Sequence, residues 1–266
     1  MNPNPYIDED LQALAETARR FATERVAPGF LERDKTRVFD RELLREMGSL
    51  GFICPELPEE FGGLGMGCLA AGVIHEEIAR ADLSFSYLNL LASLNGQILS
   101  KYGHPDIVGP WLRKLTQGEA ICCIALTEPR GGSDAANLRL RIEREGDFYV
   151  LNGEKTWISN GGIADHYVVL ARTGEAPGAK GLSAFVVDFA TTPGVWIGER
   201  YKVIAPHPLG RLRFNSARVP ASQMIGKPGE GFKIVMATLD LFRPSVGAAA
   251  LGFARRALDE SLKRAR

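Results

Sequence analysis

The hydrophobic period of this chain changes twice, and those two changes restrict its fold more than any single motif does. Through residue 117 apolar residues recur every three or four positions, the mark of helices packed on one face. From Gly118, beginning with "AICCIAL" (120–126), they come as short runs and alternations instead. After "VPASQMIGKPGEG" (219–231) the helical period returns. The pattern predicts an α+β chain. An N-terminal all-α helical domain (1–117) is followed by a β-barrel or sandwich-like middle domain (118–227) and by the first helix of a C-terminal helical bundle (228–266).

Within that frame, Leu11, Leu14, Ala18, Phe21 and Ala22 predict a helix over 8–33, with Asp8, Glu9 and Asp10 at its positive end. Leu43, Met47 and Leu50 mark a second helix, and the Gly- and Pro-rich "GFICPELPEEFGGLGMG" (51–67) a connection. Ala71, Ile74 and Ile78, then Tyr87, Leu91, Leu94, Ile98 and Tyr102, mark two longer helices, with a short one over 107–115. Strands are expected at 138–143, 148–152, 154–159, 166–172, 182–188 and 209–217. Asn152-Gly153 is read as a hairpin turn, because both residues tolerate positive φ. The last helix carries Phe232, Val235, Met236, Leu239, Val246, Ala250, Phe253 and Ala257. It runs unbroken to Arg266, which suits either a helix closed by Lys263, Arg264 and Arg266 or a cut inside a longer protein.

Composition limits the function classes. Hydrophobic residues make up 45% of 266, enough for one large core or two smaller ones. Lys plus Arg and Asp plus Glu are 32 each, so no global field draws the chain to nucleic acid or an anionic membrane, and any anion must be held by local groups. Cys54, Cys68, Cys122 and Cys123 have neither zinc-site nor disulfide-framework spacing. The acidic start "MNPNPYIDED" reads as neither signal nor transit peptide, and no stretch looks like the roughly 18 apolar residues of a membrane span. A cytoplasmic protein is expected.

"ALTEPRGGSD" (125–134) ends a buried run on a loop dense in donors. Pro129 has no N–H and stops the ladder. Gly131 and Gly132 leave room for a ligand against the backbone, whose N–H groups suit a pyrophosphate, while Thr127 and Ser133 add hydroxyls. The same composition also makes an ordinary turn. "KTWISNGG" (155–162) sets Trp157 beside Thr156 and Ser159; an indole with polar neighbours suits a planar cofactor, and equally a core.

Together these two stretches resemble the signatures of the acyl-CoA dehydrogenase family of flavoenzymes, T-E-P-x-x-G-S-D and K-x-W-I-[TS]-N-G. Three further stretches are similar to the family's N-terminal helical domain, the close of its middle domain and the first helix of its C-terminal domain: "LGFICPELPEEFGGLGMG", "FNSARVPASQMIGKPGEGF" and "LDLFRPSVGAAALGFARRALDESL". The resemblance implies FAD bound by Ile124, Ala125, Leu126, Thr127, Glu128, Pro129, Gly131, Gly132 and Ser133, with Trp157, Ile158 and Ser159 at its other edge. Thr127 would face the isoalloxazine, and Ser133 the pyrophosphate and the substrate's CoA. Acyl-CoA would also meet Thr173 and the "DLFR" residues Asp240, Leu241, Phe242 and Arg243.

The implied reaction is α-proton abstraction from an acyl-CoA with β-hydride transfer to flavin, giving the trans-2-enoyl-CoA. In most relatives the base is a glutamate of the C-terminal domain, beyond residue 266; a minority place it just before the arginine, where this chain has Phe242. The chain alone is therefore expected to be impaired or inactive. Electron-transfer flavoprotein is the implied acceptor, and a homodimer or tetramer the implied assembly when the full C-terminal domain is present. By the resemblance, relatives acting on glutaryl-CoA carry an arginine in the helix corresponding to 84–102; this stretch has no basic residue before Lys101, which disfavours a dicarboxylate, while Tyr87, Leu90, Leu91 and Leu94 suit an apolar acyl group or a core. The chain departs from the family at "YKVIAPHPLGRLRF" (201–214), where His207 between two prolines reads as a solvated loop residue. Two other readings stay open: a module that binds acyl-CoA or FAD without turnover, and a related flavin oxidase or monooxygenase.

Overall fold

The computed structural model of the protein describes residues 5–266. It divides into two compact units. One comprises the described residues through Ser93, Thr116–Glu119 and Leu241–Arg266; the other comprises Leu94–Leu115 and Ala120–Asp240.

The first unit is helical. Helix α1 (Glu9–Phe21) starts where the Asp8 carboxylate accepts the Leu11 N–H at 2.9 Å, and it buries Leu11, Ala18 and Phe21. The single helix expected over 8–33 is instead broken. A π-helical turn (Ala22–Val26) and a 3₁₀ turn (Ala27–Gly29) precede α2 (Phe30–Thr36), because Pro28 offers no N–H to continue the ladder. Helix α3 (Arg41–Ser49) opens on Asp40, whose carboxylate accepts from the N–H groups of Glu42 and Leu43, both at 3.0 Å. Residues 51–67 are connection, with one 3₁₀ turn at Glu59–Phe61.

Helix α4 (Cys68–Ala81) buries Ala71, Ile74 and Ile78 and directs Glu76, Glu77 and Arg80 to ion pairs. Glu77 takes a two-pronged contact from Arg19, at 2.8 and 3.2 Å, and a third from Arg255 at 3.2 Å. Arg255 also meets Glu76 at 2.5 Å, and Arg80 pairs with Asp259. Arg255 and Asp259 lie on α7 (Gly231–Ala265). A Cβ on Gly252 would stand 2.1 Å from the Glu76 carbonyl oxygen, so only glycine allows α7 this close to α4. One stretch of α7 reaches a mean hydropathy of 1.4 over 18 residues, so the helix is long and apolar enough to cross a membrane by length and composition. That corrects the sequence expectation, which looked for an uninterrupted apolar run where the average tolerates a charge or two. Of that stretch, 33% is buried in the structure.

Helix α5 begins in the first unit, spanning Leu83–Tyr102. It buries polar Ser86, Asn89 and Ser93 as well as leucines, so its burial is wider than one apolar stripe. Asn89 donates to the Phe52 carbonyl at 2.7 Å and Ser93 to Glu56 at 3.2 Å.

The second unit is a mixed eight-stranded sheet with α6 (Pro105–Thr116). Its strands are β1 (Cys122–Ala125), β2 (Arg141–Glu145), β3 (Phe148–Ser159), β4 (His166–Arg172), β5 (Leu182–Asp188), β6 (Val195–Arg200), β7 (Leu209–Pro220) and β8 (Met224–Ile225). The order is β6-β7-β3-β2-β4-β5-β8, with β1 parallel to β4. Strands β4 and β5 are buried over nearly their whole length, matching their continuous apolar runs.

The hairpin expected at Asn152-Gly153 is absent. Strand β3 runs straight through it, and the β2–β3 turn lies at Gly146-Asp147, where Gly146 has φ +60°. Asn152-Gly153 forms a bulge against β7. Gly153 takes φ +138° and the Asn152 side-chain oxygen accepts the Ser216 N–H at 2.8 Å, so the same tolerance of positive φ serves a bend within the sheet. Strands β6 and β8 lie where the sequence reading placed none.

Candidate functional site

The loop after β1 and the end of β3 are joined by specific bonds. The Thr156 N–H donates to the Thr127 carbonyl at 2.9 Å. Lys155 is wholly buried; its Nζ donates to the Leu126 carbonyl at 3.0 Å and to Glu128 Oε1 at 2.9 Å. Glu128 also accepts the backbone N–H groups of Arg139 (2.7 Å) and Leu140 (2.9 Å). Burial opposes ionisation of Glu128, but Lys155 and the two N–H donors prevail and hold it below the usual carboxylate range. Burial draws Lys155 down to about 8, which leaves it protonated at neutral pH. The loop is thus pinned to β3 by a charged pair that also bonds the Leu126 carbonyl and the Arg139 and Leu140 N–H groups.

Beyond Glu128 the chain makes a tight turn, with Glu128 and Gly131 exchanging N–H to carbonyl bonds at 3.1 and 3.0 Å across Pro129 and Arg130. This corrects part of the glycine-cradle expectation: the Gly131 N–H is already used in the turn. The open space remains, since a Cβ on Gly131 would have no atom within 4 Å, whereas one on Gly132 would meet the Thr127 side chain at 3.0 Å. Ser133 is exposed, and Ile124, Leu126 and Thr127 are half-buried. Ala125 and Ile158 are buried.

At the other edge, β3 bulges between Lys155 and Ile158, and Trp157 takes φ +56°, a conformation costly for a bulky side chain. The bulge breaks the alternation. Lys155, Thr156 and Ile158 all turn inward, and the indole is left 55% exposed. Trp157 stacks on Tyr201, ring centres 4.2 Å apart and planes 21° from parallel. The Tyr201 hydroxyl is 2.7 Å from Thr156 Oγ1 and accepts from Arg211 Nε at 3.1 Å. Next along the strand, Ser159 Oγ is 3.0 Å from His207 Nε2. His207 is therefore half-buried, and burial pulls it down to about 4, contrary to the solvated histidine expected. The reason is that its loop folds back on β3, where the Asn160 N–H donates to the Pro208 carbonyl at 2.9 Å.

Thr173 Oγ1 is 2.6 Å from both Ser183 Oγ and Glu175 Oε2. Asp240, Leu241, Phe242 and Arg243 are consecutive on α7, and from Leu241 onward they belong to the first unit. Phe242 is 1% exposed; the other three are exposed.

Family models for the acyl-CoA dehydrogenase N-terminal domain (residues 8–119), middle domain (123–217) and C-terminal domain (229–266) match successive parts of the chain. The probable acyl-CoA dehydrogenase fadE25 of Mycobacterium leprae is 38% identical over 266 residues, covering 97% of this chain and 68% of that protein. The chain belongs to the acyl-CoA dehydrogenase family. Among solved structures, butyryl-CoA dehydrogenase from Megasphaera elsdenii is similar with a TM-score of 0.91 at 33% identity, over 99% of this chain and 70% of that one. A glutaryl-CoA dehydrogenase from Mycobacterium smegmatis in complex with FADH2 is similar with a TM-score of 0.90 at 29% identity, over 98% and 67%.

Acyl-CoA dehydrogenases are FAD enzymes, and the residues here fit that cofactor. An exposed indole offers a flat wall, hydroxyls of Thr127, Ser133 and Ser159 offer donors, and the space over Gly131 admits a ligand against the main chain. Sequence reasoning missed Lys155, Tyr201, Arg211 and His207 as supports. The one available signal was a lysine inside an otherwise strand-forming motif, with the acid of "TEP" to match it.

Proposed function

We propose that this chain binds FAD across the β1 loop and the β3 bulge, and that it is the N-terminal and middle part of an enzyme that oxidises an acyl-CoA to the trans-2-enoyl-CoA. The observation carrying this reading is the pinned juxtaposition of the two motifs through Glu128, Lys155 and the Thr156–Thr127 bond. Bound FAD supplies the acceptance of the β-hydride that accompanies loss of the α-proton. The chain's own part is placement. Thr127 and Ser159 present hydroxyls to the ring, Trp157 covers it, and Ser133 meets the phosphates and the CoA. Thr173 and Asp240 to Arg243 supply further CoA contacts, with Arg243 as the charged partner.

The proposed proton acceptor is a carboxylate outside these residues, as in most relatives; the position that carries it in a minority of them holds Phe242, which is buried. The same residue favours, as a second reading, a module that binds acyl-CoA or FAD without turnover. No basic side chain precedes Lys101 on α5 to meet a distal carboxylate, so an apolar acyl group fits better than a dicarboxylate; Leu90, Leu91 and Leu94 are buried as core. Electron-transfer flavoprotein is the proposed acceptor, and a homodimer or tetramer the proposed assembly of the complete protein.

A general base contributes on the order of 10² to 10⁴ in rate, so the chain alone should reduce an artificial acceptor with acyl-CoA only at that reduced level. Robust turnover by these 266 residues with FAD would contradict the missing base.

A further inference from the structure

The segment between β6 and β7 has no regular structure, yet it supports three side chains at the end of β3. Tyr201 stacks on Trp157 and bonds Thr156, and six residues on, His207 reaches Ser159 at 3.0 Å. Both ends of the segment are fixed to the sheet: the Tyr201 N–H donates to the Leu209 carbonyl at 2.8 Å, and the Pro208 carbonyl accepts from Asn160. A serine hydroxyl rotates freely unless a neighbour fixes it, and a neutral imidazole has one donor and one acceptor nitrogen with which to do so. His207 is in that neutral form at physiological pH, because burial disfavours its charged state. If Nε2 carries the proton and donates to Ser159 Oγ, the serine's own proton is left for an acceptor on a ligand.

We propose that His207 is a positioning residue of the flavin site, fixing the Ser159 hydroxyl so that it donates to the isoalloxazine ring. The assignment rests on the FAD reading given above. It adds a residue from outside both signature motifs, in the segment where this chain departs from the family pattern. A bond that only stapled the loop to β3 would affect stability and leave the flavin's electronic environment alone. A bond that orients Ser159 must instead act on the flavin through that hydroxyl.

The test uses the complete protein that carries this chain, with FAD as the probe, measuring the FAD dissociation constant and the visible spectrum of the bound flavin. His207→Ala and Ser159→Ala should each weaken FAD about tenfold, the worth of one hydrogen bond to a bound ligand, and shift the flavin band in the same direction. The double variant should be no worse than either single one, because the two residues act as a unit. His207→Gln, whose amide nitrogen reaches toward the same hydroxyl, should restore most of the affinity and the spectrum. A wild-type protein that binds FAD while His207→Ala leaves affinity and spectrum unchanged would overturn this inference alone. So would effects of the two single variants that simply add. A wild-type protein that does not bind FAD would overturn the flavin reading, and this inference with it.

Discussion

Lys155 is fully buried, and its charge is tolerated only because Glu128 and the Leu126 carbonyl meet it. Removing one partner of such a pair leaves the other buried and uncompensated. Lys155→Met should therefore cost about 3–5 kcal/mol of stability, and adding Glu128→Gln should recover part of it; urea denaturation of the three proteins checks both. The buried histidines set the response to acid. His75, His166 and His207 are each drawn down to about 4 by burial. Between that value and the ordinary one near 6.5 the unfolded chain binds more protons, so stability falls as pH drops through this window. The loss is on the order of 1 kcal/mol per pH unit for each histidine. Glu56 acts in the opposite sense. Burial raises it to about 7, so its contribution declines as pH rises from 4.5 to 7. Denaturation across that range should show Glu56→Gln more stable than the parent above neutrality and more steeply acid-sensitive below it. At this scale the motifs were readable and their supports were not: Thr127, Trp157 and Ser159 follow from "TEP" and "TWIS". The partners Tyr201 and His207 lie 45 and 48 positions from Thr156 and Ser159, the residues they bond, a distance that no local pattern bridges.

Helices were legible as elements because a 3.6-residue period persists over many turns, as in α4 and α5. Strand β3 was not, because Asn152-Gly153 has the chemistry of a hairpin turn and only its pairing with β7 shows it to be a bulge. The second bulge, at Trp157, was equally hidden. It does for the site what strict alternation could not, turning Lys155, Thr156 and Ile158 inward while leaving the indole out. At the α4–α7 crossing, Gly252→Leu would drive a side chain into the Glu76 carbonyl and force the helices apart. The expected cost is about 1–3 kcal/mol or more in a denaturation curve. The neighbouring Gly247, with open space around its Cβ, should accept alanine without loss, and a Gly247→Ala variant that destabilises as much would contradict the crossing.

For the molecule as a whole, the two changes of hydrophobic period marked the passage from helices to sheet and back. The compact units follow contacts instead, so α5 and α7 each contribute to both. Helix α7 leaves Leu251, Leu258 and Leu262 exposed on a stripe beside the face that meets α4. Such a stripe on the chain alone should promote self-association, measurable by light scattering, and Leu251→Lys with Leu258→Lys should suppress it. Local signatures also marked the proposed flavin cradle, whereas the residues proposed to meet the substrate are scattered along the chain. The central claim, that the β1 loop and β3 bulge together hold FAD, is tested most directly by titrating FAD into the protein and following the visible flavin band. The account predicts saturable binding that Trp157→Ala, Thr127→Val and Ser133→Ala each weaken. Binding that ignores all three substitutions, or no binding at all, would contradict it.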